Sequence, residues 1–181
     1  MSGVNPRTFA AVGALVALLL VGGCVGPFDG ESATSTPEGE SLSPPPAAHE
    51  GYDQTTVTVL DDDTGDELGT VGVAVADNQS LRYTGLSDTE SLPEDRGMLF
   101  TYDAEESHTY VMRGMSFGID IVYVAANGTI TRIHHAPEPP EGADGEDYEY
   151  PGTGQYVLEV NYNWTVRHNV TEGDRVEIGD A

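Results

Sequence analysis

The chain has 181 residues, a length that favours one folded domain over two. Its 31 acids stand against 7 bases, all of them arginine, for a net charge of −24. Phosphate recognition needs clustered lysine or arginine, so this balance excludes a nucleic acid as partner. One cysteine, Cys24, excludes a disulfide within the chain.

Residues 1–23 hold no acid and one base, Arg7. The apolar run from Phe9 to Val21 falls short of the about 20 residues of a membrane span. A charged start, an apolar middle and the small residues Gly22 and Gly23 predict a secretory signal peptide over 1–23. No twin arginine is present, which points to the general export route. Val21-Gly22-Gly23-Cys24 resembles the lipobox of bacterial and archaeal lipoproteins. The resemblance implies a lipid on the sulfur of Cys24, which becomes the new N-terminus and partners the membrane on its extracellular face. Loss of Arg7 takes the net charge from −24 to −25. An acidic, lysine-free chain resembles the proteins of haloarchaea. At molar salt a Debye length of about 3 Å screens the self-repulsion that would weaken a compact state in dilute buffer.

Residues 24–54 are rich in Gly, Ser, Thr, Pro and Glu and predict a disordered tether. The domain then occupies 55–181. Thr55 to Leu60 predicts a strand, Asp61 to Asp66 a turn, and Leu68 to Ala76 the returning strand. The aspartates lack the spacing of a helix-loop-helix calcium loop, so a solvated hairpin turn is the reading. Asn78 to Leu86 predicts a short helix capped by Asp77 or Asn78. Gly97 to Tyr102 and Thr109 to Met112 predict two strands. Ile119 to Ala126 and Thr129 to His135 predict a hairpin turned on Asn127-Gly128, a pair suited to positive φ at both central positions. Pro137 to Tyr150 predicts a loop, Gln155 to Val160 a strand, Asn161 to His168 a helical turn, and Arg175 to Ile178 the last strand. Many strands and little helix predict a compact, mainly β, antiparallel sandwich or small barrel with one or two short helices.

The segments Arg82-Tyr83-Thr84-Gly85-Leu86, Leu92-Pro93, Gly97-Met98-Leu99-Phe100, Tyr110-Val111-Met112-Arg113, Ile119-Asp120-Ile121-Val122, Tyr156-Val157-Leu158-Glu159-Val160 and Gly173-Asp174-Arg175-Val176 follow in that order. Together they resemble the domain-of-unknown-function 192 family over about 73–178. The resemblance implies a compact antiparallel β domain, often exported, with no established reaction or ligand. The family pattern usually has Trp at the position of Val111 and Pro at that of Gly118. It often has Met and Arg at those of Ser87 and Thr89.

No serine elbow, P-loop, dinucleotide fingerprint or paired zinc motif is present, and no cofactor or metal is expected. The polar side chains among apolar strands are Arg82, Arg96, Arg113, Asp120, His134, His135 and Glu159. If Asn127 and Gly128 form the loop, Asp120 faces His135, Val122 faces Ile133 and Val124 faces Thr131. Asp120 with His135 is then either a catalytic dyad or an ion pair at the end of a hairpin. His134 and His135 point to opposite faces and do not share a metal. Met98, Met112 and Met115 fit the core or its rim. Acceptors for N-glycosylation stand at Asn78, Asn127, Asn163 and Asn169. The expected function is an exported surface domain that binds a small ligand or an envelope component through Arg82, Arg113, Asp120 and Glu159. The alternative is a hydrolase or transferase acting on envelope material, with Asp120 and His135 or Glu159 as its catalytic groups.

Overall fold

A computed structural model describes residues 51–180. The signal segment, Cys24 and most of the tether lie outside the described residues. The elements are β1 (Asp53–Leu60), β2 (Glu67–Ala76), α1 (Gln79–Thr84), β3 (Arg96–Val111), β4 (Ile119–Val124), β5 (Ile130–Ala136), β6 (Glu149–Asn161), α2 (Trp164–Arg167) and β7 (Arg175–Ile178). A single 3-10 turn, Gly145–Asp147, interrupts the long loop before β6. The fold is mainly β with two short helices, as the strand patterns predict. β1 begins at Asp53, inside the stretch assigned to the tether, because Asp53 and Gln54 pair in register with Val75 and Ala74.

Of the two architectures expected, a sandwich or a small barrel, the curled sheet is the barrel-like one. All seven strands form one sheet in the order β5-β4-β6-β3-β2-β1-β7. The sheet curls into a half-barrel, and its two edges touch over a short stretch. Thr129 forms a bridge with Arg175. The Ile130 N–H donates to the Asp174 carbonyl at 2.8 Å, and the Val176 N–H to that of Gly128 at 2.7 Å. One pair is parallel: β2 lies beside β3, with Val73 opposite Gly97. Parallel neighbours need a long crossover, and residues 77–95, which include α1, supply it.

Each face of the sheet carries its own core. Val57, Val59, Val122, Ile130, Leu158, Trp164 and Val176 come from opposite ends of the strand order and still form one cluster, so theirs is the concave face. Ala74, Met98, Phe100, Met112, Ile119, Ile121, Tyr123 and Val157 form the cluster on the other, convex face.

The convex core is roofed by β3 itself. A straight strand from Phe100 to Tyr110 would separate them by about 33 Å. Their ring centroids lie 4.9 Å apart. The reversal occurs where the register with β6 jumps, between Thr101 opposite Tyr156 and Glu106 opposite Gly154. What sequence patterning divides into two strands is therefore one strand that bends over the sheet together with its partner β6. Two glycines of β6 let the ribbon pass: a Cβ on Gly152 would stand 2.5 Å from the Tyr123 ring, and one on Gly154 would stand 2.6 Å from the Val124 carbonyl oxygen.

The β4–β5 hairpin also departs from expectation. Only Gly128 has positive φ, at 89°; Asn127 does not. The Gly128 N–H closes the turn on the Ala125 carbonyl at 3.0 Å, and Ala125 N–H donates to Thr129 at 2.9 Å. Three loop residues ending in a left-handed glycine replace the expected two. A register shift then leaves Thr131 unpaired, so Val124 faces Ile130 and not Thr131. Beyond that bulge Val122 faces Ile133 and Asp120 faces His135.

Candidate functional site

A cavity of about 300 Å³ opens between the convex face, the folded-back arm of β3 and α1. Helix α1 starts on Asn78, whose Oδ1 accepts from the N–H groups of Ser80 and Leu81 at 3.1 Å each. It ends where the Gly85 N–H donates to the Leu81 carbonyl at 2.8 Å, with Gly85 at φ 51°. This short helix presents Arg82. The arginine Nη1 donates to the Asp77 carbonyl at 2.8 Å and the Thr101 carbonyl at 2.7 Å. Its guanidinium lies over the Tyr102 ring, 4.8 Å from the centroid. On the arm, the Tyr102 ring stacks on His108 at 3.7 Å and its hydroxyl meets that of Tyr110 at 2.9 Å. Burial raises the pKa of both phenols and keeps them neutral. Arg113 lies over Tyr83, donates to the Tyr83 carbonyl, and reaches Glu146 at 3.4 Å.

Glu159 forms part of the cavity wall. Alternation along β6 sends Leu158 and Val160 into the concave core and Val157 and Glu159 to the convex face. Its cross-strand neighbours are Met98 and Ile121, both fully buried. Glu159 is 4% exposed, and its carboxyl makes no hydrogen bond among the described residues. Burial pushes its pKa up to about 8. At neutral pH it is mostly the protonated acid, a hydrogen-bond donor with no partner among the described residues.

Asp120 is 0% exposed and lies on the other face. Its Oδ1 accepts from His135 Nδ1 at 2.8 Å and Asn163 N–H at 2.9 Å. Its Oδ2 accepts from Thr165 N–H at 2.9 Å and Thr165 Oγ1 at 2.6 Å. Four donors occupy the carboxylate, two of them orphan N–H groups at the start of α2. Asp120 thus ties the α2 turn to the sheet, and His135, 43% exposed, completes the tie.

A family model described as "DUF192: Uncharacterized ACR" matches residues 60–178. The chain belongs to the DUF192 family. No curated protein matches it. It is similar to a protein from Sinorhizobium meliloti 1021 described as a candidate transcription regulator. That structure is 26% identical with a TM-score of 0.63, over 70% of this chain and 95% of the other. It is also similar to a protein of unknown function from Novosphingobium aromaticivorans, 25% identical with a TM-score of 0.61, over 73% of this chain and 91% of that one.

Two departures from the DUF192 pattern, Ser87 and Val111, fall on the cavity wall. Both are smaller than the Met and Trp that the family resemblance implies there. Thr89 lies beside the cavity loop with its Oγ1 buried and unpartnered.

Of the residues singled out from sequence, Arg82, Arg113 and Glu159 share this cavity. Asp120 and His135 pair with each other on the opposite face and do not meet Glu159. Arg96 is buried near the start of β1, its Nη2 donating to Gln54 at 2.5 Å. His134 turns away from His135 and pairs with the Pro151 carbonyl at 2.8 Å. Among the described residues no three His, Cys, Asp or Glu side chains gather as metal ligands. Asn78, Asn127 and Asn169 are exposed; Asn163 is half-buried in left-handed backbone at φ 60°. The sequence reading missed Tyr102, His108 and Tyr110, which reach the site only through the fold-back of β3. Glu159, in contrast, is marked by the sequence, as one acid inside the apolar run Val157 to Val160.

Proposed function

We propose that this DUF192 protein is an exported, lipid-anchored surface domain that binds a small ligand in the cavity under the folded-back arm of β3. The observation that carries the reading is Glu159, an acid buried without a partner at the wall of a cavity. A protein derives no stability from such a group, since burying an unpaired carboxyl costs roughly 1–3 kcal/mol. Its retention is accounted for by a ligand that supplies the missing partner. The tether that precedes β1 and the lipid on Cys24 hold the domain at the membrane; intact mass showing an unmodified Cys24 in membrane-purified protein would overturn the anchor. Catalysis by Asp120 with His135 or Glu159 has no such support. The Asp120 oxygens are taken up by four donors, and Glu159 lies across the sheet. The regulator-like name of the Sinorhizobium relative is not carried over, because a net charge of −24 opposes DNA.

The test is Glu159→Leu, measured by thermal and denaturant unfolding in molar potassium chloride. The variant is expected to be more stable than the parent by about 1–3 kcal/mol, the pattern of a functional group kept at the expense of the fold. A variant less stable than the parent would make Glu159 a structural residue and remove the basis of the ligand reading.

A further inference from the structure

The charges around the cavity restrict what can enter it. The chain has seven arginines and no lysine, and two of those arginines, Arg82 and Arg113, line this one cavity. Among the wall residues the only acid is Glu159. An overwhelmingly acidic protein has thus placed a concentration of positive charge around a single buried carboxyl. The Arg82 Nη2 and Nε make no hydrogen bond among the described residues, whereas its Nη1 is fixed by two carbonyls. Its planar fork is therefore held in place with donors to spare. Arg113 is partly neutralised by Glu146 at the rim, where both side chains are substantially exposed.

We propose that the ligand is a small organic carboxylate, bound through the Arg82 guanidinium and hydrogen-bonded to the Glu159 carboxyl at the cavity wall. This rests on the ligand-binding reading above and names its chemical class. A carboxylate accepts from a fixed guanidinium with charge-assisted bonds, and an O–H···O⁻ bond from a carboxylic acid is shorter and stronger than a neutral one. The tyrosine rings of the arm give the rest of the ligand an aromatic surface. A cationic ligand would meet two guanidiniums and would require Glu159 to give up its proton in an apolar wall. The titratable and charged groups that face Glu159 are Tyr102, His108 and Tyr110 from β3, Tyr123 from β4, Arg82 from α1, and Arg113. Of these only His108 has a side chain of a type that also changes charge near neutrality, so the pH profile is repeated on His108→Asn to separate its contribution from that of Glu159.

Binding should therefore weaken as Glu159 ionises. Burial already holds its pKa at about 8, and a bound anion raises it further, so binding takes up a proton above that value. The experiment is calorimetric titration of the full chain, in molar potassium chloride, with three probes of one shape: benzoate, benzamide and benzylamine. Benzoate is expected to bind at least about tenfold more tightly than benzamide, with benzylamine weakest. Its affinity should be level below pH 8 and fall by up to about tenfold per unit above it. Arg82→Gln should weaken benzoate by about tenfold or more, while Arg175→Gln, outside the cavity, leaves it unchanged. If Arg82→Gln fails to fold, the pH profile of the parent protein decides alone. Benzylamine binding most tightly, with affinity rising with pH, would overturn the carboxylate and leave the cavity as a cation site. Equal binding of all three, insensitive to pH, would also overturn it. No binding by any probe at about 10 mM would end both this inference and the ligand reading it rests on.

Discussion

Asp120 on β4 and Glu159 on β6 lie on adjacent strands, offset by one pairing position, and both are almost sealed from solvent. Asp120 faces the concave core and holds four hydrogen bonds. Glu159 faces the convex side and holds none. Equal burial thus conceals opposite roles. A buried carboxylate with every lone pair directed at a donor is part of the scaffold. A buried carboxyl facing only a cavity is a candidate site. Counting donors separates the two where burial and residue type do not.

The comparison can be broken by substitution. Asp120→Ala should cost the most, about 3–5 kcal/mol in denaturant unfolding, since it strands Thr165, the Asn163 amide and His135 together. A loss below about 1 kcal/mol would deny that Asp120 anchors α2.

The pH dependence of Glu159 comes next. Its folded pKa of about 8 lies above its ordinary value of 4.5, so the native state binds more protons than the unfolded chain between those values. The penalty that Glu159 imposes on the fold is least below pH 4.5 and grows as pH rises to 8, so stability falls across that window. At about 1.4 kcal/mol per pKa unit the window carries on the order of a few kcal/mol. Glu159→Gln should flatten the parent's decline in melting temperature across that window. Identical slopes in parent and variant would show that Glu159 titrates normally.

Gly152→Ala probes the arm over the Glu159 side of the sheet. The added methyl would stand 2.5 Å from the Tyr123 ring and should cost about 1–3 kcal/mol, while any bound probe is weakened because the roof shifts. An unchanged melting temperature would mean the arm can move off the sheet. The smallest effect is expected for His135→Gln. The ring is 43% exposed and Asp120 keeps three other donors, so a change of roughly 0–1 kcal/mol follows.

Much of the fold is legible in local chemistry. Asp61 caps its own turn, its Oδ1 accepting from the N–H groups of Asp63 at 3.1 Å and Thr64 at 2.7 Å, as a solvated hairpin turn requires. Asn78 caps α1, and the apolar, β-branched run of Ile119 to Val124 marks β4. The facing of Asp120 and His135 comes out right for a compensated reason: the turn is one residue longer than expected, and the bulge at Thr131 restores the count. Long-range events leave weaker marks. The reversal of β3 is set by Tyr102 to Glu105 having no partners across from Gln155, and by glycines in a different strand. The parallel β2–β3 pairing depends on a crossover that no periodicity encodes. For these reasons the sequence marks Arg82, Asp120 and Glu159 as notable but places them at one site, when the pleat puts Asp120 on the other face.

The first and last strands of the domain are neighbours in the sheet. The Gly179 N–H donates to the Thr56 carbonyl at 2.8 Å, and Thr55 Oγ1 donates to the Gly179 carbonyl at the same distance. The polypeptide therefore arrives and departs at one corner, by way of β1 and β7. A short linker from residue 179 to residue 53 could join these ends, and the exposed Asp61–Asp66 turn offers a place to reopen the circle. Set into a surface loop of another protein, the domain would hang from its host by two adjacent strands, as an interchangeable module.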